Sequence, residues 1–155
     1  MNARFIKSSE KKEILNELNE YYGVSKLPYL LIETGRQRIR AFSGSLSKEE
    51  ILKLARHANI EIIGLYLASK RDDDIRLNFD AVSLLKDQIK ENIVEIDEKQ
   101  LALWIRGFDL DIKYKRGPVV IKYKDEIVGV GKSNEEKLFN YIPKERKVRT
   151  PVPSL

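Results

Sequence analysis

The start of the chain shows first a helical and then a strand-like pattern of apolar positions. Between Ser9 and Gly23 the apolar side chains share one helical face, namely Ile14, Leu15, Leu18, Tyr21 and Tyr22. Glycine commonly ends a helix, so we predict a helix that stops at Gly23. The next apolar segments, 29–33 and 38–42, flank a turn that contains glycine and predict two strands of a hairpin.

A second helix is indicated by a capping sequence. Ser47 and Glu50 have the spacing at which these side chains cap a helix start, and the apolar positions of 51–55 follow. The elements predicted downstream are a buried strand (60–67), a turn (71–74), a returning strand (75–79) and a short helix capped by Asp80. This irregular mixture indicates an α+β domain with a mainly antiparallel sheet that ends near Asn92.

The pattern changes after Asn92. The predicted elements are a short strand (93–96), a helix capped by Asp97 and stopped by Gly107, two strands (119–123 and 127–130) around a turn, and a strand (138–142) ended by Pro143. Short strands around one small helix predict a compact β-barrel. We therefore divide the chain into an α+β domain (1–92), a small β-barrel domain (93–150) and a tail (151–155).

The composition excludes several chemistries. The 155 residues include no cysteine, which excludes disulfides, thiolate metal sites and a cysteine nucleophile, and His57 is the only histidine. We therefore predict no bound metal, no cofactor and no catalytic residues. The chain starts without a hydrophobic signal-peptide core and its apolar runs are short, so we expect a cytoplasmic protein without membrane contact. Its many lysines and glutamates are typical of thermophile proteins.

Basic residues are concentrated near the end of the chain. The net charge is +5, and the segment 113–149 contains 11 basic and 5 acidic side chains. Four of these cations follow a polar and an aromatic residue; the candidate RNA-binding residues are Asn140, Tyr141, Lys144, Arg146, Lys147 and Arg149. Flexible cations contact phosphates, and an amide beside an aromatic ring can bind an unpaired base. A solvated C-terminal tail explains the same cluster on composition alone.

Two other motifs indicate a structural role instead of the binding of a phosphate or a metal ion. Gly129 and Gly131 precede Lys132 without the spacing or the helix of a phosphate-binding loop, so we interpret them as strand positions that allow close packing or a bulge. The run 72–74 contains three aspartates but no further part of a calcium-binding loop, and it predicts a solvated turn.

Two sets of bulky side chains could either contact RNA or serve the structure of the protein. Arg36, Arg38 and Arg40 alternate along one strand and therefore share a face. They could extend a positive surface, but we favour the solvent side of a half-buried sheet. Trp104 lies among apolar helix positions, so we predict that it packs in the core.

Four segments of the second half resemble a PUA domain, the RNA-binding module named after pseudouridine synthases and archaeosine transglycosylases. They are Leu103–Gly107, Gly117–Ile121, Val128–Lys132 and Leu138–Lys144. The likeness is greatest to the PUA-like tail of the Sun/Fmu-type rRNA cytosine methyltransferases. In the first half, Gly64–Tyr66 and Ile75–Phe79 resemble the pre-PUA domain of a small ribosome-biogenesis family of archaea and eukaryotes.

The resemblance implies an RNA-binding face and a partner. It places Arg106, Lys132 and Lys137 on one face with the basic cluster, and it implies that Asn140 and Tyr141 read an unpaired segment. It also implies a ribosomal or pre-ribosomal RNA as the ligand and ribosome-assembly proteins as partners of the pre-PUA domain. The segment 108–111 departs from the family because it places two acidic residues where RNA would approach.

A methyltransferase activity does not fit the sequence. Methylation of cytosine at carbon 5 in that enzyme group uses a thiolate nucleophile, which this chain lacks, and no glycine-rich fingerprint of a dinucleotide-type cofactor fold is present. We therefore predict a non-catalytic RNA-binding protein of ribosome biogenesis and rRNA processing. The alternatives are an accessory subunit that delivers RNA to a separate rRNA or tRNA methyltransferase, a protein-interaction scaffold, and a metal-dependent nuclease that uses 72–74.

Overall fold

Two β-sheets, one before and one after Asn92, organise the chain in the computed structural model, which describes residues 3–35, 37–43, 47–57, 64–71 and 74–142. In chain order the elements are β1 (Ala3–Phe5), α1 (Ser8–Tyr22), β2 (Tyr29–Thr34), β3 (Arg38–Ser43), α2 (Lys48–His57), β4 (Leu65–Arg71), β5 (Asp74–Leu77), α3 (Phe79–Leu85), β6 (Ile93–Glu95), α4 (Glu98–Trp104), β7 (Gly117–Tyr123), β8 (Glu126–Ser133) and β9 (Leu138–Asn140). This arrangement confirms the α+β class.

The first helix begins and ends as its sequence predicts. The Glu10 carboxylate accepts a hydrogen bond from the Lys7 N–H and pairs with Arg4 at 2.7 Å, and the bond to Arg4 lowers the pKa of Glu10 to about 2. At the other end Gly23 adopts φ 92°, and its N–H donates to the Asn19 carbonyl at 2.9 Å. Such a left-handed residue satisfies carbonyls that a helix end leaves open.

The first sheet is antiparallel throughout, in the order β1-β2-β3-β4-β5. The predicted hairpin of β2 and β3 and the Ser47–Glu50 capping box of α2 are confirmed. The strand predicted over 60–67 is observed as β4 only from Leu65, while 58–63 lie outside the described residues. Helix α3 begins after Asn78 instead of Asp80, because β5 already ends at Leu77.

The two faces of the first sheet are covered differently. One face packs on α1 and α3 in the main core, whose buried members include Ile14, Leu18, Leu31, Ile39, Leu67, Ile75, Leu77 and Leu85. The other face carries a smaller cluster, in which Ile51 of α2 packs on Ile32 and Phe42. The part of this second face on β3, β4 and β5 beyond that cluster is polar.

The second sheet has the order β6-β7-β8-β9, with β6 parallel to β7 and the other pairs antiparallel. Helix α4 starts at the predicted capping box, in which Asp97 and Gln100 exchange two hydrogen bonds of 2.8 Å. A bridge between Leu110 and Leu138 adds to the sheet beside β9. Among the described residues the sheet order is open, so the closed barrel stays a prediction.

The second sheet is buried on both of its faces. One face packs on Trp104 and its neighbours, whereas Val120 and Val130 belong to the main core of the first half. At the junction the Tyr21 hydroxyl donates to the Pro118 carbonyl, and burial raises the pKa of Tyr21 to about 12. The Asn92 side chain donates to the Tyr21 carbonyl. The division into two domains at residue 92 falls here and stays a prediction.

Candidate nucleic-acid interface

Helix α4 is anchored to β8 by its last residue, Trp104. This side chain has no exposed surface, and its indole N–H donates to the Val128 carbonyl at 3.1 Å. The ring lies so close to the strand that a Cβ added at Gly129 would approach the indole nitrogen to 2.5 Å, and one at Gly131 would reach the ring to 3.0 Å. The predictions of a core Trp104 and of glycines that allow close packing are confirmed.

The side chain of Asn140 joins the end of α4 to β9. Its amide nitrogen donates to the carbonyls of Trp104 at 2.8 Å and Phe108 at 3.1 Å, and its Oδ1 accepts from the Ile142 N–H at 2.8 Å. The Asn140 N–H in turn donates to the Asp109 carboxylate at 2.8 Å. Both amide hydrogens are therefore engaged within the protein, a structural role that the sequence did not reveal. Its RNA-binding role stays a prediction.

The side chains of Lys132 and Tyr141, which belong to the second half of the chain, contact the first sheet. The Lys132 ammonium pairs with the Asp74 carboxylate at 3.3 Å, and the Arg76 guanidinium lies 4.4 Å from the centroid of the Tyr141 ring. Asp74 and Arg76 both belong to β5. Tyr141 remains 36% exposed, so the ring is still accessible from solvent.

Arg106 and Lys137 lie at opposite ends of the β9 region. Arg106 is exposed just after α4, with its guanidinium 5.2 Å from the centroid of the half-exposed Phe108 ring. Lys137 is exposed in the turn between β8 and β9, where the Asn134 side chain accepts its backbone N–H at 2.8 Å. Arg106 is therefore near Asn140 through Phe108, whereas Lys137 is next to the start of β9.

The described candidate residues divide between the two faces of the β8–β9 pair. Gly131 is opposite Asn140 and Lys132 is opposite Phe139, so the side chains of Lys132 and Asn140 point to different faces. Tyr141 continues the face of Lys132, since its N–H donates to the Val130 carbonyl. The structure thus brings Lys132 and Tyr141 together. Lys144, Arg146, Lys147 and Arg149 lie outside the described residues, so a common face with Arg106 stays a prediction.

The side chains of the described β3 arginines are not all exposed to solvent, in contrast to the prediction. Arg38 is exposed as expected, but Arg40 is only 7% exposed and donates to the Gly64 carbonyl at 3.0 Å. The interpretation of a uniformly solvent-facing side is therefore wrong for Arg40, because its guanidinium packs against Gly64 and the Tyr66 ring. Both guanidinium groups lie over the Tyr66 ring, at 5.7 Å for Arg38 and 5.5 Å for Arg40. Arg36 lies outside the described residues.

Sequence reasoning missed the contribution of β5 to this region. Asp74 was assigned to a solvated turn, but it begins β5 and pairs with Lys132, while 72 and 73 lie outside the described residues. Arg76 was not singled out at all. No local pattern could have found either contact, because strand pairing brings together residues that are far apart in sequence.

Metal and membrane features give no further site in the part of the chain that the structure describes. No group of three or more histidine, aspartate or glutamate side chains is placed to hold a metal ion there. None of the described helices has the length and apolar character needed to cross a bilayer.

The second half of the chain matches a known family. Residues 91–147 match the model of the PUA domain of the methyltransferase RsmF, a span that includes β6, α4, β7, β8 and β9. This part of the chain is therefore similar to a PUA domain, and PUA domains generally bind RNA. This finding confirms the PUA part of the resemblance.

A solved structure shows the same fold. The crystal structure of a PUA domain from Aeropyrum pernix K1, solved as a tartrate complex, is similar to this chain with a TM-score of 0.50 and 16% sequence identity. The similarity covers 88% of this chain and 73% of that chain, so it includes part of both sheets. A search of curated proteins finds no match.

Proposed function

We propose that this protein binds structured RNA through its PUA domain and leaves the RNA chemically unchanged. The observation that carries the proposal is the match of residues 91–147 to a PUA domain. The fold similarity to a solved PUA domain supports it.

The proposed mechanism is electrostatic capture followed by recognition of shape. Lysines and arginines release counterions from the RNA backbone when they contact phosphates, which gives affinity a steep dependence on salt. The exposed Arg106, the partly exposed Lys132 and the cluster 144–149 supply these cations. The accessible ring of Tyr141 offers a flat apolar surface on which an unpaired base can stack.

The RNA is proposed to be ribosomal or pre-ribosomal, with the protein acting as a non-catalytic factor in ribosome biogenesis in the cytoplasm. In this proposal the first half is a pre-PUA-type domain that also binds assembly proteins. The absence of cysteine supports a role without cytosine-5 methylation, which in the related enzymes needs a thiolate.

A second candidate function is favoured by the matched model, which is the PUA domain of a methyltransferase. In that case the chain would deliver RNA to a separately encoded catalytic subunit. Purification of the tagged protein from its host distinguishes the two roles: ribosome precursors would co-purify with an assembly factor, and a methyltransferase with a delivery subunit.

RNA binding is tested by fluorescence anisotropy with a folded rRNA fragment at several salt concentrations. The variant R146A/K147A/R149A removes three cations of the basic cluster, and K12A/K26A/K86A removes three exposed lysines elsewhere as a matched control. If all three removed cations contact phosphates, the slope of log affinity against log salt should fall by about 2–3. The control should keep the wild-type slope.

Two results would overturn the proposal. Wild-type affinity that is weak and insensitive to salt would indicate a protein-interaction scaffold. Equal weakening by the cluster variant and by the control would show that net charge alone, and no defined site, attracts the RNA.

A further inference from the structure

A row of arginines and tyrosines crosses the polar part of the first sheet and ends at the PUA domain. We propose that this arginine–tyrosine row, formed by Arg38, Tyr66, Arg76 and Tyr141, binds an unpaired RNA strand that extends from the structured RNA held by the PUA domain. The inference rests on the proposed RNA-binding function and adds a second contact surface, on the first half of the chain.

Strand register aligns the row. Arg38 of β3 is opposite Ser69 of β4, and Ser69 is opposite Arg76 of β5, so the three side chains share one face of the sheet. Neighbouring strands are about 4.8 Å apart, which places the backbones at Arg38 and Arg76 about 10 Å from each other. A stacked single strand advances about 3.4 Å per nucleotide, so this distance corresponds to about three nucleotides.

The two rings of the row are each held against guanidinium groups. Tyr66 has both Arg38 and the buried Arg40 over its ring, at 5.7 and 5.5 Å. Tyr141 has Arg76 over its ring at 4.4 Å. Planar guanidinium groups and aromatic rings are the surfaces on which unpaired bases stack, and arginine can contact a phosphate at the same time. The row therefore combines both kinds of contact that a single strand needs.

Charge also favours a polyanion. The row itself carries the guanidinium groups of Arg38 and Arg76, and Lys132 beside it pairs with the Asp74 carboxylate. An acidic peptide could use the same charge, but it has no bases to stack on the rings. The aromatic component is why we assign the surface to RNA.

Two hydroxyls beneath the arginines add unmet hydrogen-bonding capacity. Thr34 is opposite Arg38 on β2, and Ser69 lies between Arg38 and Arg76. Both side-chain oxygens are buried and have no hydrogen-bond partner among the residues that the structure describes, which is uncommon for buried polar atoms. If the arginines turn toward phosphates, these hydroxyls become accessible to a 2′-hydroxyl or a phosphate oxygen of the bound strand.

The row continues into the PUA domain. Tyr141 follows β9 directly, and Lys132 on β8 shares its face. A strand that leaves the PUA domain along this face would reach β5 at Arg76 and then β3 at Arg38. The two surfaces would then act on one RNA molecule, so each would strengthen binding at the other.

The test compares an RNA hairpin that the full-length protein binds with the same hairpin carrying about six uridines at its 5′ or 3′ end, a length within the range of single-strand sites. We expect one extension to tighten binding by roughly tenfold, as expected for one or two stacked bases. The variant R38A/R76A should lose this gain, and R38A alone, which leaves the contact between Arg76 and Tyr141 in place, should lose part of it and keep the affinity for the plain hairpin. The variant K12A/K86A removes the same charge elsewhere and should behave as wild type.

The salt dependence of binding and the arginine-to-lysine variants distinguish base stacking from attraction by charge. Two lost phosphate contacts on a single strand should lower the salt slope for the extended hairpin by about 1.4 in R38A/R76A. R38K/R76K should retain the slope but recover only part of the gain, because lysine does not stack as guanidinium does. Photocrosslinks from 4-thiouridine in the extension should fall on peptides containing Tyr66 or Tyr141.

The outcomes distinguish this inference from the function on which it rests. If the wild type binds neither RNA, the proposed function fails. If it binds plain and extended hairpins equally, or if R38A weakens both equally, the arginine–tyrosine row is refuted while RNA binding by the PUA domain stands. Crosslinks confined to other peptides would also refute the row.

Discussion

Replacement of Asn140 by alanine separates a structural from an RNA-reading role for this residue. The side-chain amide donates to the carbonyls of Trp104 and Phe108, and its oxygen accepts the Ile142 N–H. Alanine removes all three bonds at once and leaves the end of α4 without its link to β9. We therefore expect N140A to destabilise the protein before it affects any contact with RNA.

The magnitude follows from those three hydrogen bonds. An intramolecular hydrogen bond contributes about 0.5–1.5 kcal/mol net, and the bond to the Phe108 carbonyl is solvent-exposed and counts at the low end. Partial hydration of the freed carbonyls reduces the loss further, so the expected destabilisation is about 2 kcal/mol. For a chain of this size that loss lowers Tm by about 4–8 °C.

The assay measures thermal unfolding and RNA affinity on the same preparation of N140A. Far-ultraviolet circular dichroism gives Tm, and anisotropy well below Tm gives the affinity for the hairpin. Y141A serves as the comparison, because that ring is accessible and its loss should weaken RNA binding with little effect on Tm. If N140A keeps the wild-type Tm and loses RNA affinity, the structural role is refuted and Asn140 contacts RNA directly.

Three further predictions concern packing, pH and charge. G129A forces a methyl group against the Trp104 indole and should lower the free energy of unfolding by about 1–3 kcal/mol. Urea unfolding followed by tryptophan fluorescence measures this loss, and unchanged stability would contradict the close approach of the ring to the strand. Burial raises the pKa of Tyr22, so folding favours the protonated form of this side chain. The stability that this preference contributes is fully present below about pH 10 and is lost as pH rises above it. The variant Y22F should lack the Tyr22 part of this loss in unfolding experiments at alkaline pH. A double-mutant cycle on Lys132 and Asp74, both partly exposed, should give a coupling of about 0.2–1 kcal/mol, and a larger value would mean that the pair is desolvated.

Much of the local structure could be predicted from the sequence because short-range signals specify it. The capping boxes at Ser47 and Asp97 mark helix starts, and Gly23 marks a helix end. Strand β1 could not be predicted because its three residues carry no local pattern, and pairing with β2 defines it. The predicted end of β4 at residue 67 is too early, since this strand continues to Arg71 through pairing of its polar end with β3 and β5.

The candidate site was harder to predict because its contacts also join residues that are far apart in the sequence. Tyr141 is a candidate because of its local sequence context and Lys132 because of the family resemblance, but their contacts are with Asp74 and Arg76, which only sheet packing brings close. The amide of Asn140 looked like a base reader because its sequence context is polar and aromatic. Its carbonyl partners lie more than thirty residues earlier in the chain, beyond the reach of any local pattern.

The burial of Val120 and Val130 in the main core limits how this PUA domain can be exchanged in evolution or engineering. A module that is transplanted between proteins keeps its stability only if its surfaces are already suited to water. Cutting the chain at residue 92 would strip both valines of their cover and expose an apolar patch on β7 and β8, which favours aggregation. A graft of this domain into another host should therefore carry α1 and β5 with it.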